Sequence, residues 1–231
     1  MGMVSETRDY LYKSIRDKLS DIYGSEMALG LHQWLENYKI DPSFLGSVYR
    51  VALPSTGSYL MDGDKLIAYR KVGDDLTVSA GDKDWSFPIP IARTALQLMI
   101  DVMEDYLPLR SVVDLRETLF GGFVDTKLDG ELRIVITQRM AALPDKPVYF
   151  GYSGVAYPFD IIKGAELLYF TPSMIKNVVH KGYSDSSDEA YLTAVKTELI
   201  IKQGYCSYDF AEWTMKNEIH HQMRVSRERN G

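Results

Sequence analysis

The spacing of apolar residues is helical at both ends of this chain and strand-like in the middle, and that order restricts the folds it can reach. Leu11, Ile15, Leu19 and Ile22 recur at helical intervals and form one stripe over Thr7 to Tyr23. Ser5 is placed to cap that helix and Gly24 to end it. A second helix follows from Ser25, with Met27, Leu31, Trp34, Leu35 and Tyr38 on one face, so the two make a helical hairpin.

From Val48 the period changes. Val48 to Leu53 reads as a strand closed by Pro54. Tyr59-Leu60-Met61 and Leu66 to Arg70 flank Asp62-Gly63-Asp64, the dipeptide signature of a hairpin. Gly73-Asp74-Asp75 and Gly81-Asp82 mark further turns around Leu76-Thr77-Val78, giving an antiparallel meander. Pro88 and Pro90 stop the sheet, and Pro90 suits the first turn of a helix. In that helix Ile91, Ala95, Leu98, Met99, Val102, Met103 and Tyr106 form a wide apolar face, which predicts a core helix.

The second half mixes signals. Ser111 with Asp114 predicts a short helix to Phe120, ended by Gly121-Gly122. Leu132 to Gln138, Val148 to Tyr152 and Glu166 to Phe170 read as strands. Thr171-Pro172 opens a short helix with Ile175, Val178 and Val179 on its apolar side. Ser186 and Glu189 form a capping box for a helix from Asp188 to Gln203, and Ser207 caps a last helix carrying Phe210, Trp213, Met215, Ile219 and Met223.

Strands and helices do not alternate as they do in a parallel series. The expected class is therefore α+β: an antiparallel β-meander with a core helix, flanked by an N-terminal helical hairpin and C-terminal helices. One domain over 1–231 is expected; if it subdivides, the pieces are a helical hairpin at 1–46, a β-rich core at 47–183 and C-terminal helices at 184–231.

Composition excludes several classes of function. With 45% hydrophobic and 25% charged residues the chain reads as an ordinary globular protein. A net charge of −6 gives no general attraction to phosphate backbones, so nucleic acid is not expected as a direct ligand. No apolar run approaches a membrane span, and the N-terminus turns charged after Val4, so neither a membrane nor a secretory signal is expected. The single cysteine, Cys206, rules out an internal disulfide and points to a reducing, cytoplasmic compartment or a virion.

Four histidines and one cysteine supply no pair at metal-ligand or nucleophile–base spacing, so no catalytic residue, metal or cofactor is assigned. Gly151-Tyr152-Ser153-Gly154 has part of a nucleophile elbow, but Val155 stands where the last glycine is needed; a glycine-rich turn is the plainer reading. Asp62, Asp64, Asp74, Asp75, Asp82 and Asp84 bring carboxylates to neighbouring turns, without the spacing of a calcium loop. Asp125, Asp129, Glu131 and Asp160 are further candidates for acid–base work that the sequence cannot bring together. His180, His220 and His221 sit where a helix C-terminus would favour them, and His32 reads as solvated.

Sixteen tyrosines are the one compositional excess. Tyrosine joins apolar area to a polar tip and is enriched at protein interfaces. Tyr149, Tyr152 and Tyr157 are accordingly the candidate partner-binding residues, with Arg224, Arg227 and Arg229 of the tail as forks for an acidic neighbour. The expected function is a non-enzymatic structural or interaction subunit of a larger homo- or hetero-oligomeric assembly, a phage neck or connector piece being one example. The alternatives are a small metal-dependent or acid–base hydrolase using Asp or Glu with His180 or His221, and an acidic inhibitor or DNA mimic.

Overall fold

The computed structural model describes residues 2–53, 59–116, 132–158 and 167–230 and, within those ranges, the side chains from Glu6 to Met223. Two compact units emerge, Met1–Glu104 with Lys196–Gln203 and Asp105–Val195 with Gly204–Gly231. Their limits do not follow the expected subdivision at 46 and 183. The reason is that the meander shares a core with the helices before and after it, while the strands after Asp105 build a sheet of their own.

In the first unit, α1 (Gly2–Tyr23) buries Leu11, Ile15 and Leu19 and leaves Ile22 half exposed. After it, α2 (Ser25–Leu35) buries Ala28, Leu31, Trp34 and Leu35. The strand expected from Val48 to Leu53 is instead α3 (Leu45–Val51). Leu45, Val48, Tyr49 and Ala52 are buried at intervals of three, one and three, a helical face that begins before the β-branched run.

The meander is present as a four-stranded sheet in chain order: β1 (Tyr59–Asp62), β2 (Ile67–Val72), β3 (Asp75–Ala80) and β4 (Lys83–Pro88). Its register aligns Leu60, Tyr69, Val78 and Trp85 across all four strands on one face. Tyr69 and Val78 in that row are fully buried, as are Ile67 and Leu76 on the same face. Against it lie Trp34, stacked on Phe87 with centroids 5.4 Å apart, and the core helix α4 (Ile89–Met103) with Pro90 in its first turn. That helix buries Ala92, Ala95, Leu96, Leu98, Met99, Val102 and Met103; of the expected face Ile91 is only partly buried and Tyr106 lies beyond the helix end.

Six strands form the sheet of the second unit: β5 (Val112–Leu115), β6 (Arg133–Ala142), β7 (Val148–Ala156), β8 (Leu168–Phe170), β9 (Ile175–His180) and β10 (Cys206–Ser207). The order is β10-β7-β6-β5-β9, with β8 also on β7. All pairings are antiparallel except the short parallel one between β10 and β7. The unit is completed by α5 (Ser186–Lys196), all but its last residue, and by α6 (Trp213–Asn230); the π-helical turn at Thr197–Lys202 that continues α5 belongs to the first unit.

Three segments differ from their expected local structure. The segment from Ser111 is β5, because the Ser111 hydroxyl does not cap a helix: it donates to the Pro108 carbonyl at 2.7 Å and accepts the Gly182 amide at 3.0 Å. Phe120 and the glycines Gly121-Gly122 lie outside the described residues. The segment from Ile175 is a strand, and its ladder with β5 shifts register twice, so that Val113 faces Val178 while Val112 faces His180. Each bulge adds a residue to the period of two, which turns a strand into the three-residue spacing of a helix. The capping box at Ser186 also gives way: Asp185 caps α5, its carboxylate accepting the amides of Ser187 and Asp188 at 3.0 Å each.

Candidate functional site

β7 is flanked by β6 along one edge, so β8 and β10 share the other. Phe170 pairs with Tyr152 and Ser207 with Tyr149, which sets the ends of β8 and β10 beside each other. The chain leaves β8 through Thr171 and Ser173 and leaves β10 through a 3-10 turn at Tyr208–Phe210. Ser207 caps that turn by accepting the Asp209 amide at 3.3 Å. These two exits bring the hydroxyls of Thr171 and Ser173 within 3.0 and 3.2 Å of one carboxylate oxygen of Asp209.

From α6, Lys216 donates to the Asp209 carbonyl oxygen at 2.8 Å and lies over the Tyr208 ring. His220, four residues further and so on the same helix face, engages the Tyr208 hydroxyl through Nε2 and stacks on its ring. Tyr208 also stacks on Phe150, with centroids 4.5 Å apart. Val148, Phe150, Tyr208, Ala211 and Ile219 close an apolar cluster beneath, with Cys206, Met215 and Met223 at its border.

Burial dominates the electrostatics of this cluster. It pushes the Asp209 carboxyl above its ordinary range, against the opposing hydroxyl hydrogen bonds and the Lys216 charge. It lowers the Lys216 ammonium, against the attraction of Asp209 and Cys206. Burial, reinforced by Lys216, lowers His220, and burial with the Asp209 charge raises the Tyr208 phenol.

A second polar knot lies in the first unit. Asp62, buried at the end of β1, accepts the Tyr38 hydroxyl at 2.8 Å and the amides of Asp64 and Lys65. Tyr38 shares a short hydrogen bond with Tyr69, which receives the Trp34 indole N–H at 3.4 Å. Lys65 lies 3.6 Å from the Asp62 carboxylate and over the Tyr38 ring. Tyr38 is pushed far up by burial and by its hydrogen bond with Tyr69. Asp62 is held below the usual carboxylate range: burial opposes this, while Tyr38, the two amides and Lys65 prevail.

The structure disperses most residues that the sequence singles out. Tyr149 and Tyr152 are buried to 0% and 1% exposure, which corrects their assignment to a partner-facing surface. The Tyr149 hydroxyl accepts from Tyr106 at 3.2 Å, and Tyr152 accepts the Leu107 amide at 2.8 Å while stacking on Phe170. Both sit on β7, which is buried over nearly its whole length, so strand alternation spares neither. Tyr157 is 54% exposed. The side chains of Arg224, Arg227 and Arg229 lie outside the described residues, as do Asp125, Asp129, Glu131 and Asp160.

Ser153 is not on an elbow but inside β7, fully buried and donating to Gln138 at 3.3 Å. The turn carboxylates divide between the two ends of the meander: Asp62, Asp64, Asp82 and Asp84 at one, Asp74 and Asp75 at the other. His180 lies exposed on β9 and His221 exposed on α6. His32 is not solvated; it is half buried against the Tyr12 ring, and burial lowers its basicity. Among the described residues no three His, Cys, Asp or Glu side chains come together as a metal site requires.

Sequence reasoning missed Asp209, Thr171, Ser173 and Lys216. A signal existed in Lys216 and His220, four apart on one helix, but the hydroxyl partners are 38 and 36 residues away from Asp209 and no spacing rule reaches them.

No described helix is long and apolar enough to cross a membrane. No curated protein and no solved structure matches the chain. Residues 106–191 match a family described as a domain of unknown function, DUF4176. That stretch holds β5 to β9 and the start of α5, whereas Asp209, Lys216 and His220 lie beyond it.

Proposed function

We propose that this chain is an interaction subunit that contributes binding surface to a protein assembly. The observation that carries the reading is the exposure of large aromatic side chains on the second unit: Tyr183 at 82% and Trp213 at 75%. Tryptophan and tyrosine are the residues most enriched at the energetic centres of interfaces, and leaving them in water forgoes their apolar burial. Tyr157 and Tyr191 of the same unit are also exposed, at 54% and 64%. On β9, the last strand in the sheet order among the described residues, Val178 and Val179 are each about half exposed.

The polar cluster supports the same reading. Its groups are spent on one another: Thr171 and Ser173 on Asp209, Lys216 on the Asp209 carbonyl, Tyr208 on His220. Such a knot fastens α6 to the sheet and so holds Trp213 in place at the start of that helix.

The test compares the wild type with a Tyr183→Ala/Trp213→Ala variant. Light scattering after size-exclusion chromatography reports mass over a range of concentrations, and affinity capture reports stable partners. The expected result is an oligomer or a stoichiometric complex that the double variant weakens by about 2 kcal/mol or more, with the fold unchanged. A wild type that stays monomeric, with capture identical for both proteins, overturns the proposal.

A further inference from the structure

β9 ends the sheet order of the second unit: β5 occupies one of its edges, and no strand among the described residues occupies the other. From Lys176 to His180 every residue is exposed, so neither face of the strand is covered. Val178 and Val179 are each about half exposed. A strand in this state offers a row of main-chain N–H and C=O groups with apolar side chains beside them, on which a further strand can form.

The charge along this edge has one sign. From Leu167 to Ser184 the chain contains Lys176 and Lys181 and no aspartate or glutamate, in a protein whose net charge is −6. The flanks of β5 add two arginines. Arg116 is exposed and donates through Nε to the Ile175 carbonyl at 3.4 Å. At the other end the backbone of Gly182 packs on residues 109 to 111: an added Cβ would stand 2.1 Å from the Leu109 carbonyl oxygen and 3.1 Å from the Ser111 nitrogen. That close approach places Lys181 and the exposed Arg110 at the same end of the strand pair. Two acids near this edge are already engaged. Asp114 on β5 is held by both arms of Arg133, at 2.8 and 3.3 Å, and Asp185, the first acid after β9, accepts two amides at the start of α5.

We propose that β9 binds an extended acidic segment of a partner protein, which adds to its outer edge as a further strand. This docking mode rests on the interaction role already proposed and adds the chemistry of the partner. Charge disfavours a second copy of the chain in that place. An antiparallel pairing centred on Val178 would set Lys176 against His180, and one centred between the two valines would set it against Lys181. Edge lysines and bulges are devices that keep like edges apart, and β9 has both. An acidic strand meets attraction where a copy meets repulsion, and its apolar residues can cover Val178 and Val179.

The test selects displayed random peptides against the full chain and synthesises those that are enriched. Fluorescence anisotropy reads their binding at low and high salt, and amide hydrogen exchange reads where they bind. The expected result is an enrichment of acidic peptides with interspersed apolar residues, slowed exchange between Asn177 and Lys181, and affinity that falls about tenfold or more in Arg110→Glu/Lys181→Glu. Peptides without an acidic excess, no enrichment at all, or protection confined to other parts of the chain overturns the proposal, as does a single-stranded oligonucleotide that binds β9 more tightly than any peptide. Should the charge-reversed variant lose its fold, the wild-type exchange map decides alone. An assembly that Tyr183→Ala/Trp213→Ala disrupts but charge reversal leaves intact removes this docking mode while the interaction role stands.

Discussion

Arg139 and Asp188 offer the sharpest test of how the second unit is held together. The guanidinium of Arg139 on β6 meets the carboxylate at the start of α5 with both arms, at 2.9 and 2.6 Å. The Arg139 side chain is 5% exposed and that of Asp188 25%. In α5 only Lys196 is fully buried, so the helix has little apolar anchorage and depends on this fork. Breaking a buried pair by removing one partner costs about 3–5 kcal/mol. Asp188 can recover some hydration through its exposed quarter and keeps the Ser184 hydroxyl at 3.0 Å, so Arg139→Ala is expected to cost about 2–3 kcal/mol. At a urea slope of about 1–3 kcal/mol/M this moves the midpoint by roughly 0.7–3 M. Asp188→Ala and the double variant complete a cycle, with an expected coupling of about 1–3 kcal/mol. Arg139→Lys should recover less than half of the loss, because an ammonium cannot make the fork. Asp188 is held low chiefly by its hydrogen bond from Arg139, so its contribution is complete above the ordinary carboxylate value and fades as pH falls through the lowered one. Strict additivity in the cycle, or a cost below about 0.5 kcal/mol for Arg139→Ala, would refute the reasoning.

Gly154 sits on β7 beside the β6 bulge, where an added Cβ would stand 2.3 Å from the Val135 carbonyl oxygen and 2.6 Å from an Ile134 methyl. Because the nearest obstacle is backbone, Gly154→Ala is expected to destabilise by about 2 kcal/mol or more, and a thermal midpoint equal to wild type would contradict that. The Lys196 ammonium at the end of α5 is buried and donates to the carbonyls of Val102 and Glu104 at the C-terminus of α4. Lys196→Met keeps the apolar stem and orphans those carbonyls, so denaturant unfolding should show a loss of about 2–3 kcal/mol; a neutral effect would mean that water replaces the ammonium there.

The candidate site shows where local reading fails. Ser207 is legible as a cap, although it caps the 3-10 turn at Tyr208–Phe210 and not α6, which starts at Trp213, and Lys216 with His220 is legible as a shared helix face. That Asp209 lies against Thr171 and Ser173 follows from β8 and β10 occupying the same edge of β7, a pairing decided by the sheet and absent from any window of sequence. Tyr149 and Tyr152 illustrate the same limit. Composition points them to a surface, but β7 lies between neighbours on both edges and is buried along its length.

The sequence by itself determined the existence of α1, α2, α4 and the meander, because in each the periodicity of one segment matches the face it buries; the ends were less legible, since α1 begins at Gly2, ahead of the expected cap Ser5. Tertiary structure alone decided that Val48 lies in a helix, that Val112 and Ile175 lie in strands, and that Asp209 meets two hydroxyls. Short segments carry too few residues to express a period, bulges alter the period they do express, and strand partners are chosen by pairing across the sheet.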